Sequence, residues 1–406
     1  MTEAVLEGTL VIDMSEVYQA PLAAQVLGDF GAEVIKVERP GVGDVMRNMD
    51  AYACERDLVS CYFASANRNK ASICIDVKSP RGREVLLKLV QKADVLIHNY
   101  RPGVMERLEL GYGDLSAVNP RLIYAVATGF GEDGPIADRP AQDMIAQTFS
   151  GIAMAGVDDG DAPRIVGSAA IDFSSGMILA QGILLALLER MKSGRGQKVH
   201  ACLLDTAMAI QSAEAASILM YGYETNWHRR GLSFVVPTKD GWVAILGFFR
   251  PNPLKLFCAA LGLDDLSRRP EYDTIEKQIA NKDALSKLIC AEAAKYTTSE
   301  CLARFESQDV ICSPVNRLRD TLAHPQVEHN RMIVEVDVPG QDRTRLVGSP
   351  LKLSRTGPRV RRGPPRLGGD AADVLGSLGY SKAEIRDLAE VGALGETAKR
   401  RAMESF

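Results

Sequence analysis

Between residues 9 and 128 the sequence switches repeatedly between short aliphatic runs and longer segments with apolar residues on one helical face. TLVIDM is followed by APLAAQVLGDF and AEVIKVE; SICIDV is followed by SPRGREVLLKLVQKA, DVLIHNY and finally RLIYAVATGF. Strands that are apolar throughout are buried on both faces, and parallel strands need a long, usually helical, crossover between them. A doubly wound, mainly parallel, Rossmann-like α/β sheet meets both demands. The punctuation agrees: Gly31 stands where a helix C-cap glycine belongs, and Pro80 suits the first helical position.

With 406 residues, 46% of them hydrophobic, the chain can bury a large core and divide into two domains. Residues 1–202 are expected to form the first part of a large domain, and 203–225 a small-residue linker helix. Residues 226–320 are expected to form a smaller α+β domain. Its opening, FVVPTKDGWVAILGF, carries a hairpin signal at Asp240 and Gly241, and Thr297 with Glu300 reads as a capping box. Residues 321–406 are read as a return linker and the C-terminal part of the large domain. They contain a strand pair around PGQD, an arginine-rich surface crossing (SRTGPRVRRGPPRLGGD) and one last helix, AADVLGSLGYSKAEIRDLAEVGAL.

Several classes of function are disfavoured. A net charge of −4 and a pI near 5.9 argue against a protein that coats nucleic acid or an anionic membrane. The N-terminus has no basic stretch ahead of an apolar run. The longest apolar run, Met177 to Leu188, is interrupted by Gln181 and Gly182 and is too short to span a bilayer, so a cytoplasmic protein without membrane partners is expected. Eight cysteines without a CxxC pair and five dispersed histidines suit reduced thiols and no metal site. Neither GxGxxG nor GxxxxGK[ST] follows a strand, which removes support for a dinucleotide or P-loop site.

The stretch from Pro163 to Met191 reads as a buried strand, Arg164 to Ile171, running into a helix from Ser174. Asp172 then lies at a strand-to-helix junction, where open α/β sheets receive ligands. It either caps the helix or acts as a nucleophile, kept ionised by helix donors and made accessible by small neighbours such as Gly167, Ser168, Ser175 and Gly176. Basic residues recur near strand ends: Arg39, Lys78, Arg101, Arg107 and Arg139. Their recurrence suggests one anionic ligand lying across those ends.

The segment GSAAIDFSSGM, with SGRGQKVHACLLDTA after it, resembles the catalytic region of the class III CoA-transferases, the CaiB/BaiF family that includes formyl-CoA transferase. The likeness runs from the first strand to LGYSKAEIRDL and is weaker in the middle. It implies that Asp172 is a covalent nucleophile that moves CoA from an acyl-CoA donor to a carboxylic acid acceptor. It also implies that CoA is held by Val17, Tyr18 and Gln19; by Arg39; by Ile75 to Lys78; by Asn99, Tyr100 and Arg101; by Arg107; and by Asp138 to Ala141, which include Arg139. The first loop departs from formyl-CoA transferase at Glu16, Tyr18 and Gln19. No cofactor is expected to be tightly bound, CoA and its thioesters being substrates, and the family's two linked domains form rings that interlock as a homodimer. The N–H groups after Asp172, and Gly247, are expected oxyanion donors.

Two other readings stand beside this one. An α-methylacyl-CoA racemase shares the fold, but the histidine of its GHD motif falls at Gln142, which cannot exchange a proton near neutral pH. A CoA-binding protein without catalysis would form no covalent adduct. For the acceptor, the stretch NWHRRGLSFVVPTKDGW has only Gly231 and Gly241 where formyl-CoA transferase has a glycine-rich loop. His228, Arg229 and Arg230 suit an acceptor with a second carboxylate, so succinyl-CoA or a related dicarboxyl-CoA is the expected donor and a C4 to C5 dicarboxylic or hydroxy acid the expected acceptor.

Overall fold

The computed structural model describes residues 4–157, 160–248 and 250–394, apart from the side chains of His228, Arg229 and Arg343. Its first elements are β1 (Leu10–Asp13), α1 (Gln19–Asp29), β2 (Glu33–Glu38), α2 (Ala51–Glu55), α3 (Cys61–Ala66) and β3 (Lys70–Cys74). They are followed by α4 (Pro80–Lys92), β4 (Val95–His98), α5 (Val104–Arg107), α6 (Tyr112–Val118), β5 (Ile123–Thr128), α7 (Asp143–Phe149), α8 (Ala170–Ser193), β6 (Lys198–Cys202) and α9 (Leu203–Ile210). The six strands form one sheet in the order β3-β2-β1-β4-β5-β6, and every pairing is parallel. The chain order reverses between β1 and β4, and ligands bind such sheets at that switch point.

Successive residues of each strand enter opposite layers, as the period of two demands. Val11, Val34, Val95, Ile97, Ile123 and Ala125 pack with Ala20, Ala23 and Leu27 of α1 and with Leu179 and Ile183 of α8. Ile12, Ile35, Leu96, Tyr124 and Val126 pack with Val85, Leu86 and Leu89 of α4. The same layer takes Val374, Leu375 and Leu388 from the end of the chain. Each fully buried Leu or Ile contributes about 1.5–3 kcal/mol, so the sheet and its two layers carry most of the stability. Ser79 caps α4 with Pro80 in its first turn, and Gly31, at φ +113°, ends α1.

Three sequence expectations are corrected. Residues 161–168 are exposed and form no strand; Val166 instead pairs through its main chain with the Gln147 amide, because no strand edge lies beside it. The sixth strand is KVHAC, after the long helix. The expected linker helix breaks at Gln211, where ψ is 25°, into α9 and α10 (Ser212–Tyr221); no proline or glycine marks the break. The last helix is two, Ala371–Ser377 and Lys382–Glu390, divided at Gly379, φ +89°, and restarted by a Ser381/Glu384 capping box.

Helix α8 is long and apolar enough to cross a membrane by length and composition, with 44% of its most apolar window buried. Its buried side contributes Leu179, Ala180, Ile183 and Ala186 to the core between sheet and α1.

The described residues divide into two compact units. One comprises residues up to Ile152, Ile165–Ile210 and those from Glu328 onward; the other comprises Ala153–Arg164 and Gln211–Val327. In the second, β7 (Ser233–Pro237), β8 (Trp242–Leu246) and the later Ile311–Pro314 form an antiparallel sheet in that order. Asp240 and Gly241 make the predicted hairpin turn. Phe257, Ile289 and Phe305 fill this unit's own core.

Candidate active site

The carboxyl ends of β1 and β4 are stitched together at the switch point. Glu16 donates its N–H to Asn99 Oδ1 at 2.9 Å, and Asn99 Nδ2 donates back to the Glu16 carbonyl at 2.7 Å. Val17 follows at φ +70°, a left-handed conformation that is an outlier for a β-branched residue and costs on the order of 1–3 kcal/mol. What holds it is a buried charge cluster beneath. Val17 N–H donates to Asp44 Oδ1 at 3.1 Å, Lys36 Nζ lies 3.0 Å from Asp44, and Lys36 donates to the Ser15 carbonyl at 2.6 Å. Lys70 contacts Asp13 at 2.8 Å and also donates to the Pro21 carbonyl and to Asn67.

All four charges are buried. Burial alone would raise the Asp13 carboxyl, yet Lys36 and Lys70 bring it below its ordinary value. Burial lowers Lys70 to about 8, against the pull of Asp13. Burial also works against Lys36, but Asp13, Asp44 and Glu38 together raise it.

The chain then enters α1, with Tyr18 at its N-cap. Gln19 Nε2 donates to Ser175 Oγ of α8 at 2.6 Å. Gly176 lies so close to the Gln19 carbonyl that a Cβ there would sit 2.4 Å from the oxygen. Ser175 and Gly176 are therefore small so that α8 can close on α1. They are buried, which corrects the reading that they open a path for substrate.

Asp172 lies in the first turn of α8, two residues into the helix rather than at a strand end. The main-chain N–H groups of Ile171 and Asp172 both donate to Asp143 Oδ2, at 2.7 and 2.9 Å. Asp143, the first residue of α7, thus caps α8 from outside. Gln147, one turn on, donates to the other Asp143 oxygen and holds both main-chain groups of Val166. The Phe173 N–H is spent within the helix on the Ala169 carbonyl, and the Gly247 N–H on the Leu232 carbonyl. Neither is free to serve as the oxyanion donor that the sequence suggested.

With the helix donors taken, the Asp172 carboxylate is not held down. Burial, and then the negative charge of Asp143, push its carboxyl up from the ordinary 3.8 to about 6. The Tyr18 hydroxyl is raised as well, by burial first and with Asp172 contributing, which places Tyr18 within the electrostatic reach of Asp172.

A cavity of about 390 Å³ opens over the ends of β4 and β5, lined by Tyr100, Arg101, Thr128, Arg139, Gln142 and Ile145 among others. A second, of about 370 Å³, shares Tyr100, Arg101 and Thr128 and has His98 at its floor. Burial, followed by Lys198, lowers that imidazole to about 3. Burial raises the Tyr100 hydroxyl to about 12.

The candidate ligand residues divide accordingly. Tyr100, Arg101 and Arg139 share the first cavity, while Gln19 is tied to α8 through Ser175, Val17 is held by Asp44 and Tyr18 stands at the N-cap of α1. Arg39 follows β2 directly, with its fork on Glu16 at 2.9 and 3.2 Å. Asn99 spends its amide on the β1 loop, while the Ile75 side chain is core. Lys78 and Arg107 are exposed and line neither cavity. Asp143 and Gln147 were not singled out from sequence, and Ser175 was read only as a small neighbour of Asp172, not as the partner of Gln19. Asp143 and Gln147 stand four apart, on one face of α7, in AQDMIAQ.

A parallel α/β sheet with a carboxylate at the start of the helix beside its switch point defines the class of fold and site. A family model described as CoA-transferase family III matches residues 6–371. The succinate–glutarate CoA-transferase of Agrobacterium fabrum is 34% identical over 385 residues, covering 92% of this chain and 95% of that protein. The formyl-CoA:oxalate CoA-transferase of Escherichia coli O157:H7 is 32% identical over 412 residues, covering 94% and 97%. Among solved structures, a CaiB/BaiF family protein from Brucella suis matches with a TM-score of 0.84 at 27% identity, covering 93% of this chain and 100% of that one. The chain belongs to CoA-transferase family III and is an enzyme of that class.

Proposed function

We propose that this enzyme moves CoA from an acyl-CoA thioester to a free carboxylic acid through an aspartyl-CoA thioester on Asp172. The observation that carries the reading is the state of Asp172: partly buried, beside a second carboxylate, with its helix's first donors occupied by Asp143. Such a carboxylate is still largely ionised near neutral pH, and is more basic than an ordinary aspartate. It is therefore a stronger nucleophile.

An Asp172 oxygen attacks the thioester carbonyl, forming a mixed anhydride and expelling CoA thiolate. The thiolate attacks the aspartyl carbonyl, releasing the donor acid and leaving aspartyl-CoA. The acceptor carboxylate attacks that thioester and expels the thiolate again, forming a second anhydride. The thiolate then takes the acceptor's acyl group, and Asp172 is restored. Both anhydrides are open to hydrolysis, so water has to be excluded.

Tyr100, Arg101 and Arg139 line the cavity suited to part of CoA, and Val17 to Gln19 carry it toward Asp172. Gln142 replaces the histidine that an α-proton exchange would need, which supports transfer over racemisation. A homodimer is part of the same proposal: α8 leaves Leu185, Leu188 and Met191 exposed, and α10 leaves Leu219 and Met220 exposed, apolar surface of the kind that partners cover.

For substrates, we propose succinyl-CoA as donor and a C4 to C5 dicarboxylic acid as acceptor. The support is the name of the Agrobacterium fabrum relative and the basic run His228 to Arg230, whose first two side chains lie outside the described residues. A panel of acyl-CoA donors against carboxylic acids, read by mass spectrometry of the CoA products, tests this. Succinyl-CoA with glutarate is expected among the best pairs, and activity confined to oxalate or to monocarboxylic acids would overturn the substrate assignment.

A further inference from the structure

We propose that Glu16 is a resident substitute for the ligand's anion on Arg39, so that a phosphate of CoA takes hold of Arg39 by displacing it. The inference rests on the reading of Arg39 as a CoA contact. Arg39 Nε and Nη2 meet the two Glu16 oxygens, the forked geometry that an arginine offers to a phosphate.

The two partners differ in freedom. The Arg39 side chain is 56% exposed and Glu16 is 22% exposed. Glu16 cannot follow Arg39 outward, because both its main-chain groups are tied to Asn99 and the next residue is pinned to buried Asp44. Arg39 is the mobile partner. A phosphate arriving from solvent offers it more charge than one carboxylate does.

The groups facing Glu16 are Arg39, Asp44, Lys36 and Tyr100. Burial raises the Glu16 carboxyl, Arg39 and Lys36 oppose that, and Asp44 adds to it. Protonation of Glu16 frees Arg39, so the competition is strongest on the alkaline side and fades as the pH falls. Glu16 thereby keeps CoA affinity moderate and favours release of the CoA product, and it selects for a ligand whose anion outcompetes a carboxylate.

The test is calorimetric binding of CoA and of 3′-dephospho-CoA to the full-length wild type, Glu16→Gln, Arg39→Gln and the double variant. A partly exposed ion pair of this kind is worth no more than about fivefold in an equilibrium constant. Glu16→Gln is expected to bind CoA about two- to fivefold more tightly at about pH 8. The advantage should vanish in the Arg39→Gln background and shrink as the pH is lowered and Glu16 takes up its proton. Loss of the gain with 3′-dephospho-CoA identifies the 3′-phosphate as the displacing group, and its retention identifies the diphosphate; either supports displacement.

If Arg39→Gln weakens CoA while Glu16→Gln weakens it or leaves it unchanged, the pair persists in the complex and displacement is wrong. If Arg39→Gln leaves CoA affinity untouched, the placement of CoA on Arg39 fails first, and displacement falls with it. A crystal structure with CoA bound gives an independent reading, since displacement requires the Glu16–Arg39 contacts to be broken.

Discussion

Two carboxylate sites in one unit show opposite treatments of buried charge. Asp13, under the first loop, is fully buried, and it is ionised because Lys36 and Lys70 surround it. Asp172, at the start of α8, is less buried, and its carboxyl is raised by burial first and then by the charge of Asp143, with no cation among the described residues beside it to offset them. The first arrangement spends charge on rigidity: it fixes Ser15 and Val17 in a strained turn. The second withholds stabilisation from the proposed nucleophile. Strongly perturbed groups cluster at functional sites, and structural ion-pair networks such as the one around Asp13 perturb titration as well.

Removing the carboxylate proposed as nucleophile gives the largest expected effect. Asp172→Asn keeps the shape of the site, so transfer should fall by a factor on the order of a thousand or more while CoA affinity stays within about tenfold, or about 1.4 kcal/mol. In the wild type the rate should rise with pH through about 6, as Asp172 loses its proton. Asp143→Asn should move that limb to lower pH, because it removes the neighbouring charge. Steady-state rates across pH, with separate CoA titrations, check all three.

At the other site the expected effect is on stability. Lys70→Met leaves Asp13 with one cation in a dry environment, and breaking a buried pair costs about 3–5 kcal/mol. Denaturant unfolding should show a loss of that size, against little change for a surface lysine such as Lys382.

The smallest effect sharpens the contrast most. A carboxyl raised in the folded state favours folding at low pH, and this contribution is lost as the pH rises through the folded value. Asp172 and Asp143 therefore repel one another at the cost of stability at neutral pH. Asp172→Asn should raise the unfolding free energy at about pH 7.5 by on the order of 1 kcal/mol after solvent screening, with the gain disappearing below about pH 4. Lys70→Met should show no such gain. A destabilised Asp172→Asn at neutral pH would mean that Asp172 is structural after all.

The sheet was legible because its signals are local. Apolar runs of four to six residues, Ser79 with Pro80, and Gly31 each act within a turn or a strand. The pairing of strands is not local: Arg164 to Ile171 has a strand-like composition but no neighbouring edge, while KVHAC, with only alternate apolar residues, completes the sheet beside β5. The Asp143 cap joins residues separated by 28 and 29 positions, and the Glu16–Arg39 pair spans 23. No periodicity reports contacts of that kind. The break before Ser381 was readable, since SKAE is a capping box of the same type as Thr297 to Glu300. It was missed because the apolar spacing continues across Gly379.

The most direct measurement is peptide mass mapping of the enzyme after brief incubation with succinyl-CoA and no acceptor, followed by hydroxylamine or borohydride trapping. If Asp172 becomes an aspartyl-CoA thioester, the peptide containing it will carry the trapped modification, and Asp172→Asn protein will carry none. Turnover of CoA between acids with Asp172 unmodified, or a trapped product on Asp143 instead, would contradict the mechanism.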